Sequence, residues 1–180
     1  MQWLCQLFER KEIWVLIGIV LGFSLGELSR IIRGWNRRQK LKKALLDELQ
    51  MNNHLITQKK DNLSQITKAL NNKQILRAES VHVATAVYDS FFPEIIECLK
   101  PIFRDNIHII YGYLKVNDSL MDQFYSSILR DIRQGIIQDP WKSYKNQLED
   151  MTNSYSTAQN LINDCLANKP QDVLYRHSSK

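Results

Sequence analysis

The apolar positions of this chain fall into two patterns. Residues 13–26, I-W-V-L-I-G-I-V-L-G-F-S-L-G, are apolar on every side and carry no charge. A helix that is hydrophobic all round belongs in a large core or in lipid. From Trp35 onward the pattern becomes one-sided. Leu45, Leu49, Asn52, Ile56, Lys59, Leu63, Ile66 and Leu70 step by alternating fours and threes. That spacing predicts one face of an amphipathic bundle helix, a heptad-like seam with two polar interruptions. Asn71-Asn72 marks its end. Further helices are predicted over residues 74–90, 94–115, 120–134 and 141–167. Phe91, Phe92 and Pro93 separate the first two, and Pro101 kinks or restarts the second. Asn117-Asp118-Ser119 reads as a turn and cap. Gly135 and Asp139-Pro140 mark a loop, and Asn168 and Pro170 stop the last helix. The expected fold class is all-α: a single N-terminal transmembrane helix continuing into a cytoplasmic helical bundle. The expected domains are 1–34 (interfacial segment and transmembrane helix), 35–170 (helical domain) and 171–180 (flexible tail).

Within the apolar run, Gly18, Gly22 and Gly26 recur at every fourth position and fall nearly on one stripe of a helix. Glycine costs roughly 1 kcal/mol per residue in a soluble helix. In lipid the same residues let two backbones approach closely. The chain has no second apolar segment of this kind, so a partner for the stripe is another copy or another protein. The run is shorter than the ~20 residues usual for a span. Extending it to Ile32 takes in Glu27 and Arg30, and the arginine can snorkel to the interface. Ser24 and Gly26 also fit a signal-peptide cleavage site, but the Arg/Lys cluster that follows opposes export. Trp3, Leu4, Leu7 and Phe8 suit the outer interface, and Trp14 and Trp35 suit the two membrane boundaries.

Charge changes this picture. The net charge of +5 hides a cluster: Arg30, Arg33, Arg37, Arg38, Lys40, Lys42 and Lys43 are seven cations with no acid between them, leaving the rest of the chain at −2. This is a basic collar on a mildly acidic protein. Only Arg10 and Lys11 precede the run, offset by Glu9 and Glu12. The positive-inside rule then places the N-terminus outside and the C-terminal part in the cytoplasm, with Arg37, Arg38, Lys40, Lys42 and Lys43 at the membrane surface. A folded domain without a basic face is not expected to bind nucleic acid directly. Glu27 has Arg30 one turn on and Arg33 farther along. It reads either as half of an interfacial ion pair or as part of a ring at a pore mouth, with Arg30 and Arg33 beside it. Cys5, Cys98 and Cys165 are widely spaced and suit reduced thiols.

The chain holds no phosphate-binding glycine loop, no H-E-x-x-H and no C-x-x-C, and neither a metal nor a cofactor is expected. One arrangement bears on chemistry: Arg77 and His82, spaced R-x-x-x-x-H. Such a histidine can act as acid or base on a phosphodiester, and the arginine can stabilise charge on the phosphate. The plainer reading packs His82 at a helix surface and pairs Arg77 with a neighbouring acid. Arg104 and His108 form a near-match one residue short. His54 and His177 have no companions that suggest catalysis.

An N-terminal span, a basic collar, a helical domain of this length and the Arg77/His82 pair together resemble the small membrane accessory proteins found beside RNA-guided, RNA-targeting type VI-B CRISPR effectors. The resemblance covers nearly the whole chain through architectural features. It implies a homo-oligomeric pore in the bacterial inner membrane that strengthens antiphage defence by depolarising the membrane once the effector is active. The effector is then a functional partner rather than a stably bound one, and the direct partners are other copies and membrane lipid. It also implies a divergent HEPN-type ribonuclease motif on Arg77 and His82. Ala78 stands where active HEPN ribonucleases carry a polar residue, so ribonuclease activity is not expected. The alternatives are a membrane-tethered HEPN-like ribonuclease and an anchored adaptor with no channel.

Overall fold

A computed structural model of the chain describes residues 11–77, 81–135 and 139–167. Of these, 89% are helical and none forms a strand, so the fold is all-α. The elements are α1 (Lys11–Asn71), α2 (Ala86–Ile95) with a 3-10 turn over Ile96–Cys98, α3 (Pro101–Gln134) and α4 (Pro140–Leu166). The expected interfacial residues Trp3, Leu4, Leu7 and Phe8 lie outside the described residues. So do Cys5, residues 78–80, the stop at Asn168 and Pro170, and the tail at 171–180 with His177.

Contacts divide the chain into two units, Met1–Lys42 and Lys43–Lys180. In the first, the described chain is helix alone. Trp14, Leu16, Ile19, Phe23, Leu25 and Trp35 are each more than half exposed. Among the described residues, α1 is the one helix long and apolar enough to cross a membrane.

The second unit is a bundle. α1 enters it through the seam Leu45, Leu49, Asn52, Ile56, Lys59, Leu63, Ile66 and Leu70, none of which is more than 5% exposed. Burying each large aliphatic side chain contributes about 1.5–3 kcal/mol. α3 adds Ile107, Ile110, Leu114 and Ile128 to the core, and α4 adds Leu148, Met151, Ala158 and Ile162. α3 ends at Gly135, left-handed at φ 62°, and α4 packs back on α3. Phe124 and Tyr144 meet edge to face there, with centroids 5.3 Å apart. Asp139 caps α4 by accepting from the Lys142 amide at 3.2 Å, with Pro140 opening the helix.

Three expectations about elements need correction. The predicted helix over 74–90 does not begin until Ala86. Residues 74–77 and 81–85 are non-helical, and side chains of other elements hold the amides of Val83 and Ala84, as described below. The break expected at Phe91–Pro93 falls later. Pro93 sits inside α2, and the chain turns at the 3-10 segment and the extended Lys100 before restarting at Pro101. The residue before a proline favours an extended backbone, which fixes the restart. Asn117-Asp118-Ser119 is not a turn but lies in mid-helix, with Asn117 and Asp118 buried. Within that triplet, Asp118 serves tertiary partners rather than a cap.

Candidate functional site

Val83, Ala84 and the start of α2 are held by three polar side chains buried in the bundle. Asn52 of α1 grips the Ala84 backbone from both sides, donating to its carbonyl at 2.7 Å and accepting from its amide at 2.8 Å. Asp118 of α3 accepts from the Val83 amide at 2.8 Å. Its other oxygen takes Lys59 Nζ at 2.8 Å and the Tyr155 hydroxyl at 3.1 Å. Glu48 of α1 accepts from the amides of Val87 at 2.7 Å and Tyr88 at 3.2 Å. It thereby caps α2, whose own N-cap residue Thr85 makes no side-chain cap bond. A carboxylate at a helix N-terminus also meets the positive end of the macrodipole. The Tyr111 hydroxyl donates to the same Glu48 carboxylate at 2.5 Å, and burial and this bond raise its pKa far above the ordinary tyrosine value.

This framework sets Arg77 and His82. Both lie on non-helical chain. His82 faces two carboxylates, with Nδ1 3.6 Å from Asp118 and Nε2 3.7 Å from Asp122. It lines an open cleft of about 410 Å³ with Lys115 and Ser119. Arg77 instead lies over the Tyr125 ring, 5.8 Å from its centroid. Asp118, Asp122 and Tyr125 share one face of α3, so the motif's two ends meet successive turns of that helix. The carboxylates beside the imidazole oppose a phosphodiester at the atom that would act on it. The near-match residues lie one turn apart and line one pocket, each with its own partner. Arg104 Nε is 3.6 Å from Asp105, and His108 Nδ1 lies 2.6 Å from the Tyr88 hydroxyl. Among the described residues, no three His, Cys, Asp or Glu side chains converge as metal ligands.

In the first unit, no heavy atom lies within 4 Å of a side chain placed at Gly18, Gly22 or Gly26. The stripe is bare in a single copy. Arg30 continues the same every-fourth row, and its guanidinium pairs with Glu27 at 2.9 Å. Arg33 Nε reaches back to the Ser29 carbonyl at 3.3 Å. Its head therefore leans toward the apolar run, as helical side chains do. Arg37, Arg38, Lys40 and Lys43 are exposed and Lys42 half-exposed.

Sequence reasoning missed the connector's anchors Glu48 and Asp118. The usable signal was polarity at core-facing positions, which Asn52 and Lys59 did display. Comparison of the chain with protein-family models, with curated proteins and with solved structures finds no match. Its fold and its exposed apolar segment define an all-helical protein with one candidate membrane anchor.

Proposed function

We propose that this chain is a single-span protein of the bacterial inner membrane, N-terminus out, whose copies assemble along Gly18, Gly22 and Gly26. The assembly opens or thins the bilayer and depolarises the membrane. One observation carries this reading: the Glu27–Arg30 pair at 2.9 Å within a membrane-length stretch of exposed apolar helix. Trp14 to Trp35 rises about 31 Å as helix, matching a hydrocarbon core of ~30 Å. The charge-free run of residues 13–26 covers only about 21 Å of that. The remainder carries Glu27, Arg30 and Arg33. An ion pair facing lipid is costly, whereas the same pair facing a polar opening or a thinned bilayer is not. Arg33 leans away from the expected cytoplasmic boundary, which makes snorkelling at that end harder. The glycine row supplies the close contact that gathers several such pairs in one place.

On the resemblance to type VI-B accessory proteins, the setting is antiphage defence beside an RNA-guided effector that is a functional partner. The ribonuclease reading is weaker, because Asp118 and Asp122 flank His82 and Arg77 rests on Tyr125. The adaptor reading is separated by conductance. Full-length protein in planar bilayers is expected to give discrete current steps. Glu27→Gln is expected to shift their cation preference, since a ring of carboxylates attracts cations. A stable oligomer that passes no ions and leaves a potential-sensitive dye unchanged favours the adaptor.

A further inference from the structure

A groove in the second unit, between α1 and α4, points to a ligand. The two helices run antiparallel, and their shared edge is closed by a polar ladder. Asn53 donates to Asn163 at 2.9 Å, Gln159 donates to Thr57 at 3.1 Å, and Lys60 Nζ reaches Gln159 at 3.3 Å. One turn beyond Lys60 the ladder stops. Thr67 and Thr152 each turn their hydroxyl onto their own helix, bonding the Leu63 and Leu148 carbonyls at 2.8 Å. The edge opens there into a groove of about 310 Å³, lined by Lys60, Ser64, Lys68, Lys145 and Glu149 together with the two threonines.

The volume lies at the small end of ligand-sized sites. The lining holds three ammonium groups against one carboxylate. Among the described residues, Lys68 and Lys145 make no hydrogen bond or ion pair with the protein. The C-terminal end of α1 and the N-terminal end of α4 lie together here, so their opposite partial charges offset. The lysines therefore set the local potential, on a domain whose charge outside the collar is mildly negative. Lysine binds phosphate as a point charge, and several on one rim favour an anion with more than one phosphate group.

We infer that this groove binds a small polyphosphate, with Lys68 and Lys145 gripping it from opposite helices and Lys60 at the end where the ladder stops. Inorganic triphosphate is the probe, titrated calorimetrically into full-length protein in a neutral detergent. The expected result is saturable binding at one site per chain, weakened at least about tenfold in the Lys68→Gln/Lys145→Gln double variant through the loss of two charge contacts. Helicity and assembly mass should be unchanged, because both side chains are exposed. A Lys40→Gln/Lys42→Gln variant separates the groove from the basic collar and is expected to bind as the parent does. A second arm adds phosphatidylglycerol to the micelles. Failure to displace triphosphate identifies a soluble ligand, and displacement identifies a lipid headgroup as the source of the same chemistry. No saturable binding, or binding that survives loss of Lys68 and Lys145, overturns the inference. Neither outcome bears on assembly in the membrane.

Discussion

Asp118 joins three elements through one carboxylate. It receives a lysine from α1, a backbone amide from the connector and a tyrosine hydroxyl from α4. Lys59 is 5% exposed, so removing the carboxylate takes its ion pair at 2.8 Å away from a buried ammonium. Asp118→Ala is expected to cost about 3–5 kcal/mol, measured by urea unfolding. His82 is the opposite case, two-thirds exposed and no closer than 3.6 Å to its acids. His82→Ala is expected to change stability by less than about 0.5 kcal/mol and to leave assembly mass unaltered. If that variant abolished an RNA-cleaving activity of the parent, the ribonuclease reading would return. The buried Cys165 thiol is pushed by burial up to about 12, and burial, with the bond to Asp131, lifts Tyr144 to about 12. Both groups hold their protons in the folded chain where the unfolded chain has lost them. Stability is therefore whole at neutral pH and falls as pH rises from about 9 toward 12, since the native state then binds more protons than the unfolded one. At pH 7.5 a maleimide should label exposed Cys98 and spare Cys165 until the chain unfolds.

At the level of elements, the most legible part was the α1 seam, because a helix meeting a bundle must repeat its apolar face every three or four residues. All eight seam positions are buried, the two polar ones included. The triplet Asn117-Asp118-Ser119 was misread because local composition cannot reveal that Asp118 is needed by partners up to 59 residues away. The connector was misread for the same reason: a sequence that could continue as helix is held non-helical at Val83 and Ala84 by Asp118 and Asn52, and Glu48 caps the helix that follows. The polar interruptions in the seam were the visible trace of that arrangement. Their targets, the Ala84 backbone for Asn52 and the Asp118 carboxylate for Lys59, were not visible. Asn52→Leu should therefore cost about 1–3 kcal/mol by leaving Ala84 groups unpaired. It should also speed hydrogen exchange at the Ala84 amide well before exchange rises in the middle of α3. Equal acceleration at both places would mean that Asn52 supports the whole bundle rather than the connector.

For the whole molecule, the two units divide the physical problem. The second has its own core, a buried polar framework and charges balanced close to zero outside the collar. Among its described residues, the first buries none of its large apolar side chains within one copy, and its glycine row meets nothing. That contrast was written in the sequence as an apolar run with glycine at every fourth place, and the fold leaves it unpartnered. What the sequence could not supply was the number of copies in the proposed assembly, because that count depends on how neighbouring spans would pack around Glu27 and Arg30. The most direct measurement is the protein mass of the assembly in mild detergent, by light scattering or native mass spectrometry, for the parent and for Gly22→Leu. The expected result is a discrete multiple of the 21.2 kDa chain that falls to a single copy in the variant, because leucine at that position holds the backbones apart. A parent that is a single copy at working concentrations, or a Gly22→Leu variant that assembles unchanged, would contradict it.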